Sequence, residues 1–93
     1  MPMPVHPGRI VDREITARGI SGHKLALDLG IPPDRISKIL NAKRGLSADT
    51  ALRLGRYFGN DAAFWMNLQA TYDLDLTENE RGDEIRRRVH VAA

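Results

Sequence analysis

The tetrapeptide Gly30-Ile31-Pro32-Pro33 cannot lie inside a regular helix or a sheet ladder. Proline lacks the N–H a ladder needs, and in a helix interior its ring clashes with the preceding turn. Glycine just after an apolar-periodic run is a common helix stop, because it takes a left-handed conformation at little cost. Leu25, Ala26 and Leu29 form such a run, with Ser21 placed as its N-cap. Pro33 in the first turn of a following helix loses no needed hydrogen bond, and Asp34 suits the positive end of that helix. Ile36, Ile39 and Leu40 then recur at i, i+3 and i+4 and face inward. Ser21 to Arg44 therefore reads as two short helices joined by a glycine turn, the shape of a helix-turn-helix whose second helix enters the DNA major groove.

The flanks read as further helices, with no convincing strand. Residues 1–6 are expected to be a loose, flexible arm. Pro7 opens a helix with Ile10, Val11 and Ile15 on its apolar face, ended near Arg18 by Gly19. After Gly45, a fourth helix begins at Ser47 or Ala48 and runs to Phe58, with Gly59 behind it. Asp61 caps or begins a fifth, AAFWMNLQATYDL, with Trp65, Leu68 and Tyr72 in its stripe. Thr77 to Glu84 is polar and expected to be irregular. The final EIRRRVHV fits either a short helix or a β-like segment.

At 93 residues this is one small domain with a thin core, which dimerisation would help. The chain has no cysteine, so it has no disulfide framework and no thiolate zinc site; this fits a reducing cytoplasm. No signal-peptide pattern and no membrane-length apolar run is present, and a cytoplasmic location without membrane attachment is expected. His6, His23 and His90 share no metal-ligand spacing, so neither a metal nor another cofactor is expected. No nucleophile and base pair has a supporting motif, and an enzyme reading has no support.

The net charge of +2 is uninformative, but its distribution is not. Arg35, Lys38, Lys43, Arg44, Arg53 and Arg56 face one acid, Asp49, between positions 35 and 56. Six acids from Asp73 to Glu84 then accompany Arg81 alone, before Arg86, Arg87 and Arg88. The basic stretch is either a phosphate footprint or plain solvated helix surface. Asp83-Glu84 before Arg86 to Arg88 is most simply a solvated tail with local ion pairs; a partner-binding or dimer-stabilising segment is its sharper reading. Phe64, Trp65 and Tyr72 fit core packing far better than a stacking platform for single strands.

On the second helix of the motif, Asp34, Lys38 and Asn41 point away from the apolar stripe, with Arg35 and Ser37 at its flanks. Arg35 or Lys38 can donate to guanine O6 and N7, and Asp34 can accept from cytosine N4. The free N–H groups near Ser21 and Gly22 can hold a phosphate oxygen, flanked by His23, Lys24, Asn41, Lys43 and Arg44.

The run from His6-Pro7-Gly8, through GIPPDRISKILNAKRGLSADTALRLGRYFG, to FWMNLQATYDL resembles the HigA-type antitoxins, a branch of the Xre/Cro repressor-like helix-turn-helix superfamily. The resemblance implies an all-α, five-helix lambda-repressor-like domain over residues 7–76, with a short C-terminal tail over 77–93. It implies a homodimer on palindromic double-stranded operator DNA, and a HigB-type toxin of the RelE-like ribonuclease class as the protein partner. It places Pro33, Asp34, Arg35, Ser37 and Lys38 in the base-reading part of the recognition helix, and Ser21, His23 and Lys43 at phosphate-contacting places. The chain departs from the pattern at Gly22, where a hydrogen-bonding side chain is common, and at Ala42, where a glycine is usual. A stand-alone repressor without a toxin, and an interaction module that has lost DNA binding, are the rival readings.

Overall fold

Helix ends in this chain are built by side chains and reversals of the kind the sequence announces. In the computed structural model, which describes residues 3–93, five helices follow one another. They are α1 (Pro7–Arg18), α2 (Gly22–Leu29), α3 (Pro33–Leu40), α4 (Ala48–Phe58) and α5 (Ala62–Arg88). No strand occurs among the described residues. Met1 and Pro2, part of the expected arm, lie outside the described residues. Ser21 Oγ accepts from Lys24 N at 3.0 Å, and Ser47 Oγ from Thr50 N at 3.2 Å, so each hydroxyl satisfies an otherwise free first-turn N–H. Gly30 stops α2 at φ 71°, and its neighbour Ile31 donates back to the Ala26 carbonyl at 3.0 Å.

The core joins the apolar stripes of all five helices: Val11 and Ile15, Leu25, Ala26 and Leu29, Ile36 and Ile39, Ala51 and Leu54, and Trp65, with Ile31 and Leu46 from the connections. Leu40 is only partly buried and packs on the margin of this cluster. Trp65 is fully buried, its indole N–H donating to Asn60 Oδ1 at 2.8 Å, so its face is closed to any base. Phe64 stacks edge-on against Trp65 but stays 44% exposed.

Two sequence expectations need correction. The segment from Thr77 to Glu84 is helical and continuous with α5, which runs to Arg88; Val89–Ala93 has no regular structure. A boundary at Leu76 therefore falls inside a helix. Nothing between Thr77 and Arg88 except Gly82 opposes helix. Side chains on neighbouring turns pair along it, Arg81 with Glu84 at 3.4 Å and Arg86 with Asp83 at 2.7 Å, and Arg86 also reaches Glu78 two turns back. Arg86, Arg87 and Arg88 also suit the negative end of the helix dipole.

The second correction is His6, which is buried rather than part of a loose arm. It is the N-cap of α1: its Nδ1 accepts from Gly8 N at 2.9 Å, and its ring meets Tyr72 edge-on at 4.9 Å. Pro7 follows at the first helical position. A Cβ on Gly8 would lie 2.0 Å from the Ile39 carbonyl oxygen, so only glycine lets α1 begin against the end of α3. The His6-Pro7-Gly8 motif is thus a clamp between three helices.

Burial lowers the His6 pKa, opposed by a hydrogen bond to the Arg44 backbone and by the nearby charge of Asp73. Above the ordinary value of 6.5 the imidazole is neutral in folded and unfolded chains alike. Below it the unfolded chain binds a proton that the folded one resists, so stability is lost as the pH falls. Urea titrations between neutral and mildly acidic pH should show this loss in the wild type and a flatter profile in His6→Asn. The Asn variant keeps an acceptor for Gly8 N and should cost about 1 kcal/mol at neutral pH through the lost ring contact with Tyr72.

Candidate nucleic-acid interface

The outward surface of α3 carries two columns of side chains at helical spacing. Pro33, Ser37 and Asn41 form one; Asp34 and Lys38 form the other, with Arg35 half-buried beside them. Asn41 Nδ2 reaches Ser37 Oγ at the long distance of 3.5 Å, leaving both groups open to other partners. Asp34 Oδ2 lies 3.1 Å from Lys38 Nζ, and both side chains are exposed. A surface pair of this kind is worth only about 0.3–0.5 kcal/mol, so it can open when either partner meets a base.

The start of α2 faces this surface across a shallow cleft of about 550 Å³, lined among others by Asp12, Gly22, His23, Pro33, Ser37 and Asn41. Ser21 Oγ is occupied in capping Lys24 N, which leaves the backbone N–H groups of Gly22 and His23 at the positive end of the helix. Gly22 has a packing reason: a Cβ there would sit 3.0 Å from Leu40 Cδ1 and 3.9 Å from Ile36 Cγ2. The missing side chain at this position lets α2 start close against α3. Asp12 of α1 on the cleft wall adds a negative charge, brought there by the packing of α1 and not by any local pattern.

The basic residues divide into committed and uncommitted ones. Lys24 pairs with Asp28 at 3.1 Å, and Asp28 also accepts from the Tyr57 hydroxyl at 2.6 Å. The Tyr57 hydrogen bond first, and then Lys24, hold the Asp28 carboxyl below its ordinary range, while Asp28 raises the pKa of both partners. Arg53 bridges Asp49 at 2.7 Å and caps the Leu29 carbonyl at 2.7 Å, so it braces α2 against α4. Arg35, Lys43, Arg44 and Arg56 make no side-chain ion pair among the described residues. The structure therefore brings Pro33, Asp34, Arg35, Ser37 and Lys38 onto α3 and Asn41 to its C-cap, with Gly22 and His23 opposite, and leaves Lys43 and Arg44 in the following turn. Lys24 is held toward Asp28.

That turn has an unusual geometry. Ala42 N donates to the Ile39 carbonyl at 3.1 Å and Lys43 N to the Lys38 carbonyl at 2.8 Å, the paired reversal that ends many helices. It requires a left-handed residue, and Ala42 supplies it at φ 60°. The departure from glycine leaves the turn intact but strains it. Two supports of this turn were not anticipated from sequence, His6 and Gln69. Gln69 Oε1 accepts from Leu46 N at 2.7 Å. A glutamine in a long helix announces nothing by itself; only its place in FWMNLQ sets it apart.

Comparison with known proteins agrees with this geometry. The family described as Helix-turn-helix matches residues 12–65. The chain is 47% identical over 78 residues to Virulence-associated protein I of Dichelobacter nodosus, covering 83% of this chain and 72% of that protein. It is 38% identical to the Pseudomonas aeruginosa antitoxin HigA, solved with the higBA promoter, at a TM-score of 0.94 over 98% of this chain and 100% of that one. It superposes on antitoxin GraA at a TM-score of 0.96 and 38% identity, over 99% and 100% of the two chains. The chain belongs to the helix-turn-helix family, in its HigA-type branch.

Left-handed alanine costs about 1–2 kcal/mol relative to a right-handed conformation, and glycine avoids most of that cost. Ala42→Gly should therefore stabilise the fold by about 1 kcal/mol and raise Tm by roughly 4–8 °C in thermal denaturation. An unchanged or lower Tm would contradict the strain assigned to this residue.

Proposed function

We propose that this helix-turn-helix protein is the DNA-binding antitoxin of a type II toxin–antitoxin pair. It binds a palindromic operator as a homodimer, represses its own operon, and neutralises a HigB-type ribonuclease toxin of the RelE-like class by contact. The observation that carries this is the full-length likeness to an antitoxin solved on promoter DNA, joined to an exposed α3 whose outer side chains can all form hydrogen bonds or ion pairs except Pro33. A protein that acts on its own operon works in the cytoplasm, and no helix among the described residues is long and apolar enough to cross a membrane. No catalytic group is needed, because blocking a toxin by contact requires only surface.

In this reading Pro33, Asp34, Arg35, Ser37 and Lys38 meet base edges. Arg35 or Lys38 donates to guanine O6 and N7, and Asp34 accepts from cytosine N4. Ser21, Gly22, His23, Lys24, Asn41, Lys43 and Arg44 meet phosphates. For Lys24 this requires release of Asp28; for Ser21 the cap oxygen keeps its role while the hydroxyl proton is donated. Two recognition helices of a dimer then lie about 34 Å apart, one turn of DNA.

Asp34 adds discrimination by repulsion. Over a phosphate, or over a base edge without an amino donor, its carboxylate is unpaired and unfavourable. Only a site offering a donor releases Lys38 for its own contact.

Co-expression with the adjacent reading frame, followed by pull-down and a growth assay, tests the toxin half of this reading. A stable complex that restores growth is expected; a neighbour that neither binds nor harms growth would leave a stand-alone repressor. On the DNA side, Arg35→Ala and Lys38→Ala should each cost about 1–3 kcal/mol on the operator and relax one base position. Lys43→Ala should weaken operator and scrambled duplexes alike, with a salt slope shallower by about 1. Asp34→Asn should tighten binding to the scrambled duplex more than to the operator. Equal effects of all four variants on both duplexes would refute the division into base and phosphate contacts.

A further inference from the structure

We infer that Gln69 is a positioning residue that sets the DNA-facing turn between α3 and α4 from behind, through α5; the inference rests on the DNA-binding reading above. The turn carries Lys43 and Arg44, both exposed, in a stretch with no regular secondary structure. Three anchors hold it. One is the reversal at the end of α3 through Ala42 and Lys43. A second is the buried His6 ring at the start of α1, which lies close to the Arg44 backbone. The third is Gln69, whose Oε1 accepts from Leu46 N at 2.7 Å across 23 residues of chain.

The Gln69 amide is itself held in one orientation. Its Nε2 donates to Asp73 Oδ1 at 3.0 Å, one helical turn along α5. Asp73 needs a donor and Leu46 N needs an acceptor, so the amide oxygen faces the turn and the nitrogen faces Asp73. The same amide packs against Gly45, where a Cβ would lie 2.9 Å from both Nε2 and Oε1. Leu46 follows directly with its side chain in the core. The carboxamide thus fills the space under the turn and fixes the backbone on one side of Arg44, while His6 holds the other.

A turn held in this way presents Lys43 and Arg44 to phosphate without first being ordered, and preorganisation of that kind strengthens binding without adding a contact. Gln69 touches no DNA in this arrangement. Loss of its amide should therefore act only through the cations it positions. These are sequence-independent contacts, so the effect should be equal on every duplex and visible in the salt dependence.

The test uses the full chain and fluorescence anisotropy with two duplexes, one from upstream of its own reading frame and one scrambled. Folded Gln69→Met, checked by circular dichroism, should bind both duplexes about tenfold more weakly between roughly 50 and 200 mM salt, with a slope shallower by about 1–2. Adding Lys43→Ala to it should cost little more, because the two changes remove the same contact. Wild-type affinity, an unchanged salt slope, or fully multiplicative losses would overturn the inference. Should Gln69→Met not fold, Asp73→Ala on the helix surface replaces it. A smaller loss with the same shallower slope supports the role, and wild-type binding overturns it. Failure of the wild-type chain to bind either duplex would instead overturn the DNA-binding reading, and this inference with it.

Discussion

The start of α1 rests against the end of α3 with no room for a side chain between them, and the remaining geometry depends on that contact. Gly8 permits it, Pro7 starts the helix, and His6 closes the first turn while its ring reaches Tyr72 of α5. The contact fixes where α3 ends. The end of α3 in turn fixes where the peptide turns back at Ala42 and where Lys43 and Arg44 emerge. Because a neutral imidazole serves as cap acceptor, this junction is also where acidity reaches the fold.

The surface that α3 offers is only modestly basic. Asp34 and Lys38 partly cancel, Arg53 is used in bracing α2 against α4, and Asp12 lines the cleft beside the start of α2. Under the proposed function, long-range attraction to DNA would rest on cations without an ion-pair partner near α3, namely Arg35, Lys43 and Arg44. A modest net field with a carboxylate on α3 favours discrimination over raw affinity, which accords with the operator-specific binding proposed above.

Much of the fold was legible in the sequence because its signals are local. Caps at Ser21 and Ser47, the stop at Gly30, the Pro33 start and the apolar stripes of α1 to α4 each follow from a few neighbouring residues. The outward face of α3 was legible for the same reason. The polar stretch after Leu76 was not, since local ion pairs such as Arg86 with Asp83 and Arg81 with Glu84 stabilise helix without leaving an apolar period to read. His6 was misread because its burial comes from Tyr72, a residue 66 positions away.

By itself the sequence determined five helices, the motif they contain and the side chains that α3 turns outward, since helical periodicity and capping are short-range properties. Only the tertiary structure decided what braces that motif. Gly22 lies under Leu40, Arg53 on the Leu29 carbonyl, and Gln69 beneath Leu46, each through a contact between residues several turns of chain apart. Such contacts depend on how helices pack, and a pattern of neighbouring residues does not encode that geometry.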